Sequence, residues 1–159
     1  MNQTKTAMRL RKSYLALPVA AILLFSSCSQ DLDTTILTRT ALPMEGAQEV
    51  PAKNTAANGT LDIAYNKNTK TLSYTVKWNS LTGPIVGFHI HGVATKGFNA
   101  PIVQNFAGYS TAQTGTYSGT FFVDGVAVKE QDLLRGAYYV NIHTGMNTGG
   151  EIRAQILFE

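Results

Sequence analysis

From residue 36 onward, apolar side chains recur at every second position in short runs, and the runs are separated by clusters of glycine, proline and asparagine. A period of two marks an extended strand with one buried face, because successive side chains leave opposite sides of the backbone. Leu61, Ile63 and Tyr65 alternate with Asp62 and Ala64, and Leu72, Tyr74, Val76 and Trp78 alternate with Ser73, Thr75 and Lys77. The intervening Asn66-Lys67-Asn68-Thr69 is turn chemistry, so the two runs predict a hairpin with one face in the core. Trp78, Tyr74 and Tyr138 are expected in that core, where aromatics supply much of a sandwich's buried area. Tyr117, Gly119, Phe121 and Val123 give another half-buried strand. Further strands are expected over Ile36 to Leu42, Ile102 to Phe106 and Glu151 to Leu157, the last entered through a turn from Gly145 to Gly150. Glu45 to Asn58 reads as loop, and Val128 to Arg135 as a helical turn ended by Gly136. Seven or eight short strands with almost no helix predict an all-β fold, an antiparallel Greek-key β-sandwich or barrel of one domain.

Two of the expected strands hold all three histidines of the chain. In Phe88-His89-Ile90-His91-Gly92 the apolar Phe88 and Ile90 oppose His89 and His91. In Tyr139-Val140-Asn141-Ile142-His143-Thr144, Val140 and Ile142 oppose Asn141 and His143. A His-x-His pair on a strand sets two imidazoles about 6.6 Å apart along it, within reach of one ion held at about 2.0 Å. If the strands are neighbours, His143 completes a set of three nitrogens suited to copper or zinc. The alternative is three solvent-side or hydrogen-bonded structural histidines on half-exposed strands.

The formal charge of +3 misstates the domain. Lys5, Arg9, Arg11 and Lys12 precede an apolar run from Leu15 to Phe25, the pattern of an export signal. That run contains Pro18 and falls well short of the about 20 residues of a membrane helix. It closes on Phe25-Ser26-Ser27-Cys28, which resembles the lipobox of bacterial lipoproteins. The resemblance implies removal of residues 1–27 and a lipid on Cys28, the only cysteine. An ordinary signal cut nearby, leaving a free thiol, is the other reading. Residues 28–35 are small and polar and read as a tether, and 36–159 as the domain. Removing the leader leaves nine basic against ten acidic residues, a net charge of −1, so nothing supports nucleic-acid binding. The expected setting is the cell envelope, anchored to a bacterial membrane and facing the periplasm or the outside, with an envelope or extracellular protein as a partner.

No nucleophile elbow, phosphate loop or carboxylate pair at catalytic spacing occurs in the chain, which leans the reading away from an enzyme. Glu151 and Arg153, two residues apart, are expected as an ion pair on an edge strand, and Glu49 as a residue that orients a loop.

Three segments carry a family resemblance: Gly46-Ala47-Gln48-Glu49-Val50-Pro51, Gly87-Phe88-His89-Ile90-His91-Gly92, and Tyr139-Val140-Asn141-Ile142-His143-Thr144 followed by Gly150-Glu151-Ile152-Arg153-Ala154-Gln155. Together they resemble the CHRD domain, a module named after chordin and widespread in bacterial envelope proteins, over about residues 37 to 158. The resemblance implies an immunoglobulin-like or superoxide-dismutase-like β-sandwich outside the cytoplasm. A more distant similarity, to copper/zinc superoxide dismutases, implies copper: their Gly-Phe-His-Val-His stretch matches His89 and His91, and a later copper histidine matches His143. The loop that should supply the bridging histidine and zinc ligands, Gly92 to Gly115, contains no His, Asp or Glu, and the disulfide is missing. The sequence therefore yields two expectations, a non-catalytic binding module with a copper ion on His89, His91 and His143, and a copper redox enzyme of dismutase-like ancestry. A purely structural domain without metal is a third.

Overall fold

The computed structural model describes residues 35–159. The expected leader, Cys28 with its expected lipid, and all but the last residue of the expected tether lie outside the described residues. Eight strands follow in chain order: β1 (Ile36–Glu45), β2 (Asn58–Asn66), β3 (Thr71–Asn79), β4 (Ile85–Gly92), β5 (Ile102–Asn105), β6 (Gly115–Phe122), β7 (Tyr138–Thr144) and β8 (Asn147–Gln155). A short 3-10 turn at Gly46–Gln48 and the five-residue helix α1 (Glu130–Leu134) complete the regular structure of the described residues. As expected, Gly136, at φ +76°, stops the chain just beyond α1.

All ladders are antiparallel, in the order β5-β4-β7-β8-β1-β2-β3-β6. β1 and β8 share a single registered pair, Glu45 with Arg153, so the sheet divides there into two four-stranded leaves. The leaves face each other. Phe88 of β4 meets Trp78 of β3 edge-on at 5.8 Å between ring centroids and Tyr117 of β6 at 5.7 Å. The far edges meet as well, where the Gln104 amide donates to the Thr120 carbonyl at 3.2 Å. The result is the all-β sandwich, almost closed into a barrel, that the alternation predicts. Chain crossings from β3 to β4, β5 to β6 and β6 to β7 carry the backbone between leaves, as in a Greek key.

The inward positions are those that the period of two selects. Leu61, Ile63, Tyr65, Leu72, Tyr74, Val76, Trp78, Phe88, Ile90, Tyr138, Val140 and Ile142 are all buried in one core. Each large apolar side chain so buried contributes about 1.5–3 kcal/mol relative to exposure. Trp78 also satisfies its polar edge, since its indole N–H donates to the Ala112 carbonyl at 2.8 Å.

Three local expectations are corrected. β1 runs on through Pro43 to Glu45, with its register shifting between Arg39 and Leu42. Around that irregularity Ala41 has φ 55° and donates its N–H to Asp62 Oδ1 at 2.7 Å. β8 starts at Asn147, because Thr144 pairs with Asn147 and the turn is reduced to Gly145-Met146. The remaining glycines of the supposed turn are strand residues, and Gly150, at φ +116°, leaves room against which the Glu49 carboxylate packs. The outer face of the β4-β7-β8 leaf, for which half-exposed strands with solvent-side histidines are one of two readings, is covered. Arg153 donates to the Phe98 carbonyl at 2.8 Å, Gln155 to Ala94 and Asn99 to Val50, so the chain at 46–57 and at 92–101 folds over it.

Candidate metal centre

Register places the three histidines. In the β4–β7 ladder Gly87 lies opposite His143, His89 opposite Asn141, and His91 opposite Tyr139. The neighbouring β7–β8 ladder sets Asn141 opposite Arg153 and Tyr139 opposite Gln155. The outward side chains of β4 and β7 thus form a lattice in which His91 follows His89 along β4, His143 lies diagonally across from His89, and Asn141 sits opposite His89 and next to His143. Gly87 keeps the corner opposite His143 empty, and a Cβ there would come within 2.8 Å of His89 Cε1. The absence of a side chain lets the His89 ring lean toward His143.

One ring nitrogen from each histidine lies within 4.8 Å of those of the other two. His89 Nδ1 and His143 Nε2 are 3.2 Å apart. Two nitrogens at about 2.1 Å from one ion are at most about 4.2 Å apart, so a ring shift of about 0.6 Å brings the widest pair into range. The other edges of two rings are already fixed. His143 Nδ1 faces the Thr148 carbonyl at 2.8 Å, and His91 Nδ1 faces the Ala100 carbonyl at 2.8 Å. A carbonyl only accepts, so both Nδ1 atoms carry the proton and both Nε2 atoms present a lone pair, the arrangement by which a metal-ligating histidine is usually oriented. His91 Nε2 is buried with no hydrogen-bond partner. An orphaned acceptor of this kind is costly unless something supplies a positive partner, and three imidazoles form a donor set that fits copper or zinc.

All three rings are held neutral. Desolvation, then the neighbouring His143 and His91, pushes His89 down to about 4. His91 and His143 are also lowered, in each case chiefly by burial. Neutral imidazole is the metal-binding form, so these nitrogens are available at pH 7 without displacing a proton from solution.

Charged and aromatic groups pack beside the centre. The Tyr139 ring stacks on His91 at 4.7 Å with an interplanar angle of 1°, and the Arg153 guanidinium lies over the Tyr139 ring, 3.3 Å from its centroid. The Tyr139 hydroxyl accepts from the Ala100 N–H, so one segment anchors both His91 and Tyr139. Glu49 is buried, and desolvation raises its carboxyl to about 7 against the pull of Arg153. The expected edge ion pair of Glu151 and Arg153 is not formed: β8 is an interior strand and both side chains are buried with other partners. Glu151 accepts from the hydroxyls of Thr55, Thr82 and Thr144 and from the Thr82 N–H. Burial pushes its pKa up, but those hydrogen bonds outweigh it and leave the carboxyl below its ordinary value. The four contacts tie the chain at 55 and 82 to β8.

The sequence pointed to the three histidines and missed Asn141 and Tyr139 as their neighbours. The same period of two that put His143 on the outer face put Asn141 and Tyr139 there, so the signal was present but carried no residue type that demanded a ligand. The loop from Gly92 to Gly115 brings no His, Asp or Glu to the cluster, in keeping with its composition.

Fold and site together define an all-β sandwich domain with a three-histidine cluster on one leaf. The chain belongs to the CHRD domain family, whose model matches residues 40–156 and therefore takes in most of β1, all of β2 to β8 and the three histidines. No match to the chain was found among curated proteins or among solved structures.

Proposed function

We propose that this protein is a lipid-anchored CHRD module of the bacterial cell envelope that holds one copper ion through His89, His91 and His143 without turning over a substrate. The observation that carries the metal reading is the convergence of three neutral imidazoles, two of them with their second nitrogen tied to a carbonyl. His89, His91 and His143 would hold the ion, and copper would supply a Lewis-acidic, redox-active centre. Tyr139, Arg153 and the chain at 94–100 would keep His91 in its plane and shut water from that side.

Titration of metal-free protein with Cu(II) is expected to show one site. A variant with all three histidines replaced by alanine that binds as tightly overturns the assignment. Dismutase-like turnover draws no support from Gly92 to Gly115, which lacks ligands for a second metal. Copper-loaded protein that speeds superoxide decay beyond free copper would reverse that view. The anchor rests on Phe25-Ser26-Ser27-Cys28, and its reading predicts that Cys28→Ser leaves the membrane fraction. An extracellular or envelope protein is the expected partner for a domain displayed in this way.

A further inference from the structure

We infer that Asn141 is a fourth ligand, giving its side-chain oxygen to the ion held by the three histidines, and that Glu49 positions the amide for this. The inference rests on the metal reading above. Asn141 is 2% exposed and sits opposite His89, two residues before His143 on the same strand. Its Oδ1 lies 3.0 Å from His143 Nε2.

That contact is not an ordinary hydrogen bond. His143 Nδ1 carries the ring proton, because it faces the Thr148 carbonyl, so Nε2 of the neutral ring has no hydrogen to donate. An amide oxygen and an imidazole lone pair therefore face each other at hydrogen-bond distance. The only proton directed at His143 Nε2 in this set is that of His89 Nδ1, 3.2 Å away. His91 Nε2, also a bare lone pair, is buried in the same cluster without any partner. Asn141 Oδ1 and His91 Nε2 are thus buried acceptors that the one His89 N–H does not serve, a cost that a cation lying among them removes.

Reversing the amide does not remove the conflict. The Asn141 Nδ2 group donates to Glu49 Oε1 at 3.4 Å, and at pH 8, where Glu49 is a carboxylate, a reversed amide would turn its oxygen onto that carboxylate. Glu49 is in turn held against Gly150, where any side chain would displace it. The nearby Tyr139 hydroxyl is already bound to Ala100 and does not compete for the site. Histidines with one amide oxygen favour a divalent ion: the hard oxygen adds to the binding of Cu(II) or Zn(II) and little to that of the softer Cu(I).

The test compares Cu(II) and Cu(I) binding at pH 8 for the wild-type domain, Asn141→Leu, and the exchanged pair Glu49→Gln with Asn141→Asp, with Cu(II) electron paramagnetic resonance on each. Asn141→Leu is expected to lose about 10- to 100-fold in Cu(II) affinity, with a changed copper hyperfine splitting and a Cu(I) affinity within about threefold of wild type. The exchanged pair keeps a hydrogen bond between positions 49 and 141 and offers an oxygen to the ion, so its Cu(II) affinity should return to the wild-type level or above. Equal losses for Cu(I) and Cu(II), or an unchanged spectrum in Asn141→Leu, would overturn the inference while leaving the three histidines as ligands. Wild-type protein that binds no stoichiometric Cu(II), or shows no imidazole nitrogen coupling, overturns both readings.

Discussion

At the scale of single residues, burial sets the chemistry of the centre more than charge does. The metal-free histidines have folded pKa values below the ordinary 6.5, so the unfolded chain takes up protons first as the pH falls. The stability they contribute is complete above about 6.5 and is lost progressively down to about 4, where His89 titrates. Glu49 works the other way. Its folded value near 7 lies above the ordinary 4.5, so the stability linked to its proton is complete below 4.5 and is lost as the pH rises through 7. The urea midpoint of metal-free protein is therefore expected to fall between pH 6.5 and 4.5, and to fall more steeply in Glu49→Gln, which lacks the opposing proton. Identical slopes would mean that Glu49 is ionised in the fold. Gly87 tests a different point. A Cβ there meets the His89 ring, so Gly87→Ala should lower Cu(II) affinity by about tenfold while changing unfolding stability by less than about 1 kcal/mol.

At the scale of elements, β4 and β7 carry the site, and β7 and β8 support it with strands that are largely buried on two sides. Their outer faces are polar yet dry, which requires that Arg153, Gln155 and Glu151 each find partners in the covering chain. Arg153 is the clearest case, with its guanidinium on the Tyr139 ring and its hydrogen bond to the Phe98 carbonyl. Arg153→Met keeps most of the side-chain volume and removes the donor. The expected cost is about 1–3 kcal/mol, and amide exchange should quicken at residues 94–100 while β2 and β3 keep their protection. Loss of protection in β2 and β3 as well would show that the covering segment is not a separate unit of stability.

At the scale of the molecule, the two leaves are joined mainly through their core, because β1 and β8 share only one registered pair. Phe88 bridges the leaves through Trp78 and Tyr117. Phe88→Ala should cost about 3–5 kcal/mol, read from the denaturant midpoint at constant slope. Metal binding acts on the same equilibrium. An ion that binds only the folded state adds about 2.7 kcal/mol at a free concentration of 100 times its dissociation constant, so Cu(II) should raise the melting temperature of the wild-type domain. The same addition should leave the variant lacking all three histidines unchanged.

What the sequence determined by itself was the alternation, and with it nearly every strand, the inward set from Leu61 to Ile142 and the shared parity of His89 and His91. These follow from local geometry, since the period of two needs no knowledge of neighbours. The glycines at 149 and 150 were misread for the same reason: by type they signal a turn, and only the Glu49 carboxylate packed beside Gly150 shows why a strand residue there has no side chain. Tertiary structure alone decided which strands lie side by side. The β4–β7 register brings His143 within 3.2 Å of His89 and puts Asn141 opposite His89. It also decided that the polar outer face of β7 and β8 is closed over by chain from 46–57 and 92–101. Contacts of that kind join residues about fifty or a hundred positions apart, and no local pattern encodes them.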